Sequence, residues 1–300
     1  MAWQRMMQTF IDRHVLPDDF NRVIKAYYQP LAHRLFNLFD SSNSPFFVGV
    51  NGCQGSGKST LSAYIADYLS RVHALNVVVM SLDDFYFAKS ERDQLATQIH
   101  PMLKTRGVPG THNTSLLSSV IAQLKEKKSN VVIPQFNKAT DNPYPKTQWQ
   151  CIDQPADIVI LEGWCWGVPA QKQAQLSQPI NALERNNDSE GIWRKYVNQQ
   201  LASYYQPLYQ CFDYWITLQA PTFDYVYQWR LEQEQKLAVS LAARKKATQD
   251  ELMNAEQTRH FIQYFQRLTE HGIKTLPLFA DTTFVLAKNR CIQSVQQADR

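Results

Sequence analysis

Short apolar runs recur along the chain, and polar segments long enough to hold helices separate them. Apolar runs that end at turn residues are typical of buried parallel strands. The five runs cover residues 46–50, 77–80, 157–161, 213–218 and 284–287. After the first run, Leu61, Ile65 and Leu69 recur at helical spacing. The pattern therefore predicts an α/β protein whose core is a parallel sheet.

Two further segments complete the predicted organisation, which is a single domain over residues 1–300. Residues 1–44 carry apolar positions at helical spacing and predict helices that pack on the sheet before the first strand. Residues 87–150 are rich in Pro, Gly and Asn. They predict a mostly helical, loop-rich insertion, with a short strand at residues 131–133.

The composition is that of a protein with a large buried core. The chain has 300 residues, of which 44% are hydrophobic, and a net charge of +4 with no basic stripe, so it gives no support for a nucleic-acid partner. The five cysteines are scattered, which argues against a zinc site or a disulfide framework. No stretch approaches the roughly 20 apolar residues of a membrane-spanning helix. We therefore expect a cytoplasmic protein without a membrane partner, and the sequence does not predict its oligomeric state.

The first apolar run ends in a phosphate-binding pattern. Residues 52–59, Gly-Cys-Gln-Gly-Ser-Gly-Lys-Ser, fit G-x-x-x-x-G-K-[ST]. Glycines allow successive backbone N–H groups to turn toward phosphate oxygens, and the following helix adds its own unpaired N–H groups. Lys58 is expected to reach the β- and γ-phosphates, and Ser59 to ligate Mg²⁺. The residues predicted to bind ATP are Gly52, Cys53, Gln54, Gly55, Ser56, Gly57, Lys58, Ser59 and Thr60.

Acidic residues follow the second and third predicted strands. Asp83 and Asp84 come after the second strand, and Glu162 comes at the end of the third. Ligands of open α/β sheets bind beyond the carboxyl ends of the strands, so all three acids are expected at the same edge as the P-loop. There a carboxylate can accept the proton of an attacking hydroxyl or hold the metal, and we assign Mg²⁺ to Ser59 and Glu162. The alternative for the Asp-Asp pair is a turn that caps the next helix.

Five segments together carry a family resemblance. They are residues 50–60, 81–86 (Ser-Leu-Asp-Asp-Phe-Tyr), 106–112 (Arg-Gly-Val-Pro-Gly-Thr-His), 162–165 (Glu-Gly-Trp-Cys) and 229–234 (Trp-Arg-Leu-Glu-Gln-Glu). These segments resemble the plant- and fungal-type D-glycerate 3-kinases, which are related to uridine kinase, phosphoribulokinase and pantothenate kinase. The resemblance implies a three-layer P-loop NTPase fold with a five-stranded parallel core, a helical insertion and a lid. It also implies ATP as the phosphoryl donor, Mg²⁺ and a small-molecule acceptor.

The resemblance implies roles for individual residues as well. Asp83 matches the position proposed as general base in the related nucleoside kinases, and Asp84 is the second candidate. The residues implied in the acceptor pocket are Asp84, Tyr86, Arg106, Gly110, Thr111, His112 and Lys138. An arginine beside a Gly-Val-Pro-Gly backbone suits the carboxylate of glycerate, and a lysine near the transferred phosphate suits its charge.

The chain also departs from the family pattern. Asn113, Asn137 and Asn142 stand where the family has acids, and Pro143 stands where it has an arginine. We expect this region to face the acceptor, so a nucleoside, pantothenate or a sugar phosphate is an alternative acceptor. A second alternative is an ATP-binding regulator without a free acceptor. The adjacent acids after the second strand argue against a regulator, because a regulator needs no acceptor base.

Residues 225–270 predict a helical lid. One helix is expected over about 225–241, and a second is expected to start at a capping box at 248–251 and to run to about residue 268. Lids of this type bring arginine over the phosphates and exclude water. The motif makes Arg230 the predicted catalytic arginine of the lid, and Lys58 is the predicted catalytic residue of the P-loop. Arg244 is a weaker candidate in the lid.

Overall fold

One large sheet and two small ribbons contain the strands of the described residues. The computed structural model describes residues 2–40, 45–243 and 253–298. The strands are β1 (Phe46–Gly52), β2 (Val77–Ser81), β3 (Val131–Ile133), β4 (Phe136–Asn137), β5 (Asn142–Pro143), β6 (Gln150–Ile152), β7 (Ile158–Gly163), β8 (Tyr214–Gln219), β9 (Thr282–Leu286) and β10 (Ile292–Gln297).

The large sheet has the strand order β10-β9-β8-β1-β7-β2. All neighbours pair in parallel except β10, which is antiparallel to β9, so the parallel core predicted from the five apolar runs is confirmed. Strand β10 was not predicted, because most of its residues are exposed and it has no apolar run. Every residue of β1 and of β7 is buried. The centre of the sheet is therefore covered on both faces, as in a three-layer α/β fold.

α-Helices and short helical turns supply the covering layers. The α-helices are α1 (Ala2–Arg13), α2 (Phe20–Val23), α3 (Gln29–Asp40), α4 (Lys58–His73), α5 (Lys89–Gln98), α6 (Thr114–Lys125), α7 (Ala182–Asn187), α8 (Ile192–Gln200), α9 (Gln206–Tyr209), α10 (Phe223–Ala243) and α11 (Ala255–Thr275). Helix α4 packs on β1, β2 and β7, and α3 packs on α4. Across the described ranges, no helix has the length and apolar character needed to cross a membrane.

The segment between residues 87 and 150 contains α5, α6 and the short strands β3, β4 and β5, and β6 begins at its end. Strand β3 is the one expected at residues 131–133, and it pairs antiparallel with β6. Strands β4 and β5 form a second small antiparallel hairpin, called here the β4–β5 hairpin. It was not predicted, because strands of two residues leave no recognisable apolar pattern. Its turn carries Lys138.

Helices α10 and α11 form the region predicted as a lid, and they pack on each other. Asn254 caps α11 by accepting the backbone N–H of Gln257 at 2.9 Å. The second lid helix therefore begins and ends several residues later than predicted. The capping box predicted at residues 248–251, and Arg244, lie outside the described residues.

The register of the sheet brings the candidate residues to one edge. Glu162 on β7 lies opposite Val50 of β1 on one side and opposite Ser81 of β2 on the other. The P-loop follows β1, and the Asp-Asp turn follows β2. The phosphate-binding loop and all three predicted acids therefore lie at the carboxyl edge of the sheet, where such folds bind their ligands.

Candidate active site

The P-loop has a geometry suited to phosphate. It joins β1 to α4, which begins at Lys58, so the unpaired N–H groups of the first helical turn border the loop. Gly55 has a φ of +78°, and a Cβ at this position would lie 2.9 Å from the Cβ of Trp229. Only glycine fits this approach. Ser56 is buried, and its hydroxyl has no hydrogen-bond partner among the described residues. A phosphate oxygen would satisfy such a buried donor.

Glu162 joins the end of β7 to the P-loop. Its Oε1 accepts a hydrogen bond from Ser59 Oγ at 2.8 Å, and its Oε2 lies 3.7 Å from Lys58 Nζ. Burial lowers the pKa of Lys58, but the carboxylates of Glu162 and Asp83 outweigh burial and raise that pKa. Lys58 is therefore a charged ammonium at neutral pH.

The Ser59–Glu162 pair has the chemistry of a magnesium site. A hydroxyl and a carboxylate are oxygen ligands of the kind that Mg²⁺ binds together with water and substrate phosphates. Glu162 is buried, and its Oε2 makes no hydrogen bond to any described residue. That oxygen is left available to a cation. The structure thus brings together the two residues that the sequence suggested as metal ligands, and their role in metal binding stays a prediction.

Asp83 lies in a single helical turn, Leu82–Phe85, directly after β2. Its Oδ2 accepts a hydrogen bond from Lys138 Nζ at 2.6 Å, and its Oδ1 accepts one from Tyr86 OH at 2.8 Å. Burial alone would raise the pKa of Asp83. The ammonium groups of Lys138 and Lys58, together with the two hydrogen bonds, hold this pKa well below its usual range. Asp83 is therefore an ionised carboxylate close to the P-loop.

Asp84 has a different partner from its neighbour. Its Oδ1 accepts the backbone N–H of Phe136 at 3.1 Å, which ties the turn after β2 to β4. Burial raises the pKa of Asp84 to about 6, and the negative charge of Asp83 adds to this effect while the Phe136 hydrogen bond opposes it. The two adjacent acids therefore differ in environment. Asp83 pairs with the Lys138 ammonium, and Asp84 anchors the β4–β5 hairpin.

His112 is buried behind Tyr86, and the two rings stack with their centroids 4.4 Å apart. Burial lowers the pKa of His112 to about 3, so the ring is neutral. Its Nδ1 lies 2.6 Å from Tyr205 OH, and the same hydroxyl accepts the Gly110 N–H at 3.4 Å. Tyr205 thus binds the Nδ1 side of the ring, and the other ring nitrogen is Nε2. This Nε2 has no hydrogen-bond partner within the described part of the chain.

Thr111 closes the turn that precedes His112. Its Oγ1 donates to the Val108 carbonyl at 2.7 Å and accepts the Gly107 N–H at 3.0 Å. Trp164, from the segment after β7, donates its indole N–H to the Gly107 carbonyl at 2.9 Å. Thr111 therefore fixes the shape of the predicted acceptor loop, and direct contact with an acceptor stays a prediction.

Arg106 is already paired within the protein. Its guanidinium forms an ion pair with Asp141 and lies 5.5 Å from the ring centroid of Phe136. Asp141 also binds the buried Arg92, with 2.7 Å between Arg92 Nη2 and Asp141 Oδ2. These contacts hold Arg106 on the β4–β5 hairpin, so the carboxylate-binding role expected of it would require it to share its charge with Asp141.

The three amides that replace family acids all bind backbone groups. Asn113 Oδ1 accepts a backbone N–H from the first turn of α6 at 2.9 Å. Asn137 Oδ1 accepts one from the turn of its own hairpin at 3.0 Å, and Asn142 Oδ1 accepts one from the start of α5 at 3.0 Å. An aspartate can accept the same bonds. These side chains thus have local capping contacts, and the expectation that this region faces the acceptor stays a prediction.

Arg230 lies on α10, one residue after the tryptophan that contacts the P-loop. It forms an ion pair with Glu234 and lies 5.8 Å from the ring centroid of Phe261. Trp229 is fixed in turn by its indole N–H, which donates to the Lys288 carbonyl at 2.8 Å. The predicted contact of Arg230 with the phosphates stays a prediction.

Two polar residues of this region were not singled out from the sequence. Asn51 is buried, and its amide donates to the carbonyls of Trp164 and Trp166 at 3.1 and 2.7 Å. It could have been found, since a buried amide at the end of an apolar strand needs partners. Tyr205 lies 93 residues from His112 and belongs to no motif, so the sequence held no signal for it.

Comparisons with known proteins agree with this geometry. The sequence profile of the phosphoribulokinase/uridine kinase family matches residues 47–177. "Uncharacterized kinase mug58" of Schizosaccharomyces pombe is 34% identical over 230 residues, which cover 74% of this chain and 78% of that protein. "Probable ATP-dependent kinase TDA10" of Saccharomyces cerevisiae is 30% identical over 279 residues, which cover 85% and 92%.

A solved structure, D-glycerate 3-kinase from Cryptococcus neoformans, superposes with a TM-score of 0.72 at 24% identity, over 91% of this chain and 99% of that one. At this identity the likeness shows a shared fold. The relatives with higher identity extend over most of their own length and carry the word kinase in their names. Together with the family profile, they show that this chain belongs to the phosphoribulokinase/uridine kinase family of P-loop kinases.

Proposed function

We propose that this protein transfers the γ-phosphoryl group of ATP to a hydroxyl of a small anionic acceptor, with D-glycerate, giving 3-phosphoglycerate, as the first candidate. The observation that carries the proposal is the environment of Asp83. This ionised carboxylate is held by Lys138 and Tyr86 at the same sheet edge as the P-loop. A protein that binds ATP only to control a partner needs no proton acceptor at this place.

Each group of residues in the site has its own role in the proposed phosphoryl transfer. The P-loop backbone and Lys58 bind the β- and γ-phosphates and balance the charge that develops during transfer. Ser59 and Glu162 would hold Mg²⁺, which neutralises phosphate charge when it is bound. Asp83 orients the acceptor hydroxyl and accepts its proton while the oxygen attacks the γ-phosphorus. Arg230, near the start of the lid, would approach the phosphates and exclude water.

D-Glycerate is the preferred acceptor for two reasons. Segments 81–86, 106–112 and 162–165 resemble those of D-glycerate 3-kinases, and the structural neighbour from C. neoformans carries that name. In addition, Lys138 supplies positive charge beside Asp83, which suits an acid. The amides that replace family acids bind backbone groups, so they do not by themselves require a different acceptor.

The test is ADP release from Mg·ATP with and without D-glycerate. We expect strong stimulation by D-glycerate in the wild type and a loss of about 100-fold or more in Asp83→Asn, which cannot accept the proton. Asp93→Asn is the matched control, because the carboxylate of Asp93 on α5 is 46% exposed. Its stimulation should equal that of the wild type.

Two results would count against the proposal in different ways. ATP binding without ADP release on addition of D-glycerate, nucleosides, pantothenate or sugar phosphates would contradict a kinase of small molecules. Stimulation by one of the other acceptors alone would keep the reaction and replace the substrate.

A further inference from the structure

Lys138 contacts one of the two carboxylate oxygens of Asp83. Its Nζ lies 2.6 Å from Asp83 Oδ2, while Asp83 Oδ1 is hydrogen-bonded to Tyr86. With a donor on each oxygen and a cation at 2.6 Å, Asp83 is a weak base. Each oxygen keeps a second lone pair for an acceptor hydroxyl. Loss of the Lys138 contact would therefore make Asp83 a stronger proton acceptor.

Of these two donors, only Lys138 is free to move. Tyr86 is buried and is stacked on the imidazole of His112. The Lys138 side chain is 61% exposed, and its ammonium sits at the end of a flexible four-carbon stem. A shift of its ammonium by a few ångströms disturbs no packing.

The backbone around Lys138 is fixed, so such a movement would be confined to the side chain. The β4–β5 hairpin is held at one end by Asp84, which binds the Phe136 N–H. It is held at the other end by Asp141, which pairs with the buried Arg92 and with Arg106. Arg106 is occupied by these same contacts, whereas Lys138 is an exposed cation whose charge can be passed to a ligand.

We propose that Lys138 determines specificity by selecting acceptors that carry a negative charge. The inference rests on the proposed function. An acceptor carboxylate attracts the Lys138 ammonium away from Asp83, and the freed Oδ2 takes the proton of the acceptor hydroxyl. The hydroxyl oxygen forms a bond to the γ-phosphorus, the bond from that phosphorus to the β–γ bridging oxygen breaks, and ADP leaves. An uncharged acceptor leaves the ion pair in place, so the Asp83 carboxylate stays paired with the Lys138 ammonium and remains a weak base.

The experiment compares kcat/KM for D-glycerate with kcat/KM for its uncharged amide, D-glyceramide. The wild type should prefer the acid about 10- to 100-fold, which is the effect of one hydrogen bond to a charged group. In Lys138→Met this ratio should fall close to one, because the acid loses its partner while the amide meets a freed base. Lys138→Arg should retain part of the preference. Lys104→Met, a change at an exposed lysine of the same insertion, should retain all of it.

The outcomes separate this inference from the proposed function. Equal use of acid and amide by the wild type, or an unchanged ratio in Lys138→Met, would overturn the inference and leave the kinase intact. Transfer to pantothenate in place of D-glycerate would replace the proposed substrate, and the ratio measured with pantothenate and its primary amide would then decide the inference. Transfer to uncharged nucleosides alone would overturn the inference and replace the proposed substrate, while phosphoryl transfer to a hydroxyl would stand.

Discussion

Ser59 donates a hydrogen bond to Glu162 across 2.8 Å, although the two residues are 103 positions apart in the sequence. The bond joins the first turn of α4 to the end of β7. It also places a hydroxyl and a carboxylate together at the edge of the sheet where the P-loop opens. The candidate metal site is therefore a product of the sheet register, which sets Glu162 beside β1.

Glu162→Gln should weaken metal use while preserving the local contact. The amide oxygen can still accept the Ser59 hydrogen bond, but it carries no charge for a cation. We expect the Mg²⁺ concentration for half-maximal ADP release to rise about tenfold or more, with kcat lower by about 10- to 100-fold. Glu256→Gln, an exposed change at the start of α11, is the control. A Mg²⁺ requirement equal to that of the wild type would rule out Glu162 as a ligand.

Lys138→Met should change the pH dependence of the reaction. Burial acts to raise the pKa of Asp83, and the Lys138 ammonium is the strongest influence that lowers it. Removing this cation raises the pKa, so the ionised base is lost at a higher pH. In the pH profile of kcat/KM, we expect the acidic limb to move to higher pH by about one unit or more. An acidic limb that stays in place would show that Asp83 is not the titrating base, provided that Lys104→Met behaves like the wild type.

Asp84→Asn should stabilise the fold at high pH and not at low pH. Burial raises the pKa of Asp84 to about 6, so the carboxyl is favoured in its neutral form in the folded protein. Its contribution to stability is fully present below the unfolded pKa of about 4 and is lost as the pH rises through about 6. The asparagine is uncharged at every pH and can still accept the Phe136 N–H.

We therefore expect Asp84→Asn and wild type to have equal free energies of unfolding near pH 4. Near pH 8 the variant should be more stable by up to about 2 kcal/mol. Urea denaturation at the two pH values measures this difference. Asp93→Asn, whose side chain is 46% exposed, should show no such dependence on pH. A variant that is no more stable than wild type near pH 8 would contradict the buried-carboxyl account of Asp84.

Tyr205→Phe should disturb His112 and through it the acceptor pocket. The change removes the hydroxyl that binds His112 Nδ1 and Gly110 N–H, so two buried polar groups lose their partner. We expect a loss of about 1 to 3 kcal/mol of stability and a higher KM for the acceptor, with little change in KM for ATP. Tyr204→Phe is the control, because this neighbouring tyrosine is 52% exposed. If the folded Tyr205→Phe variant has an unchanged KM for the acceptor, His112 does not contribute to acceptor binding.

Local patterns explain which features could be predicted from the sequence. The five parallel strands were recognised because buried strands must be continuously apolar, and the P-loop because phosphate binding restricts residue type and spacing. Strand β10 and the β4–β5 hairpin were not predicted, because exposed or very short strands impose no such pattern on the sequence. The start of α11 was misplaced because Asn254 is the cap in the structure, and several polar residues nearby could have served as well.

The sequence by itself determined the α/β class, the P-loop and the identity of the residues that could carry charge at the sheet edge, because strand patterning and phosphate chemistry are local. Only the tertiary structure decided how those charges are paired. In the structure, Arg106 forms an ion pair with Asp141, Lys138 forms one with Asp83, and the Asp84 carboxylate accepts a backbone N–H. Such pairings join segments that are tens of residues apart, and they depend on chain register and burial, which no local pattern encodes.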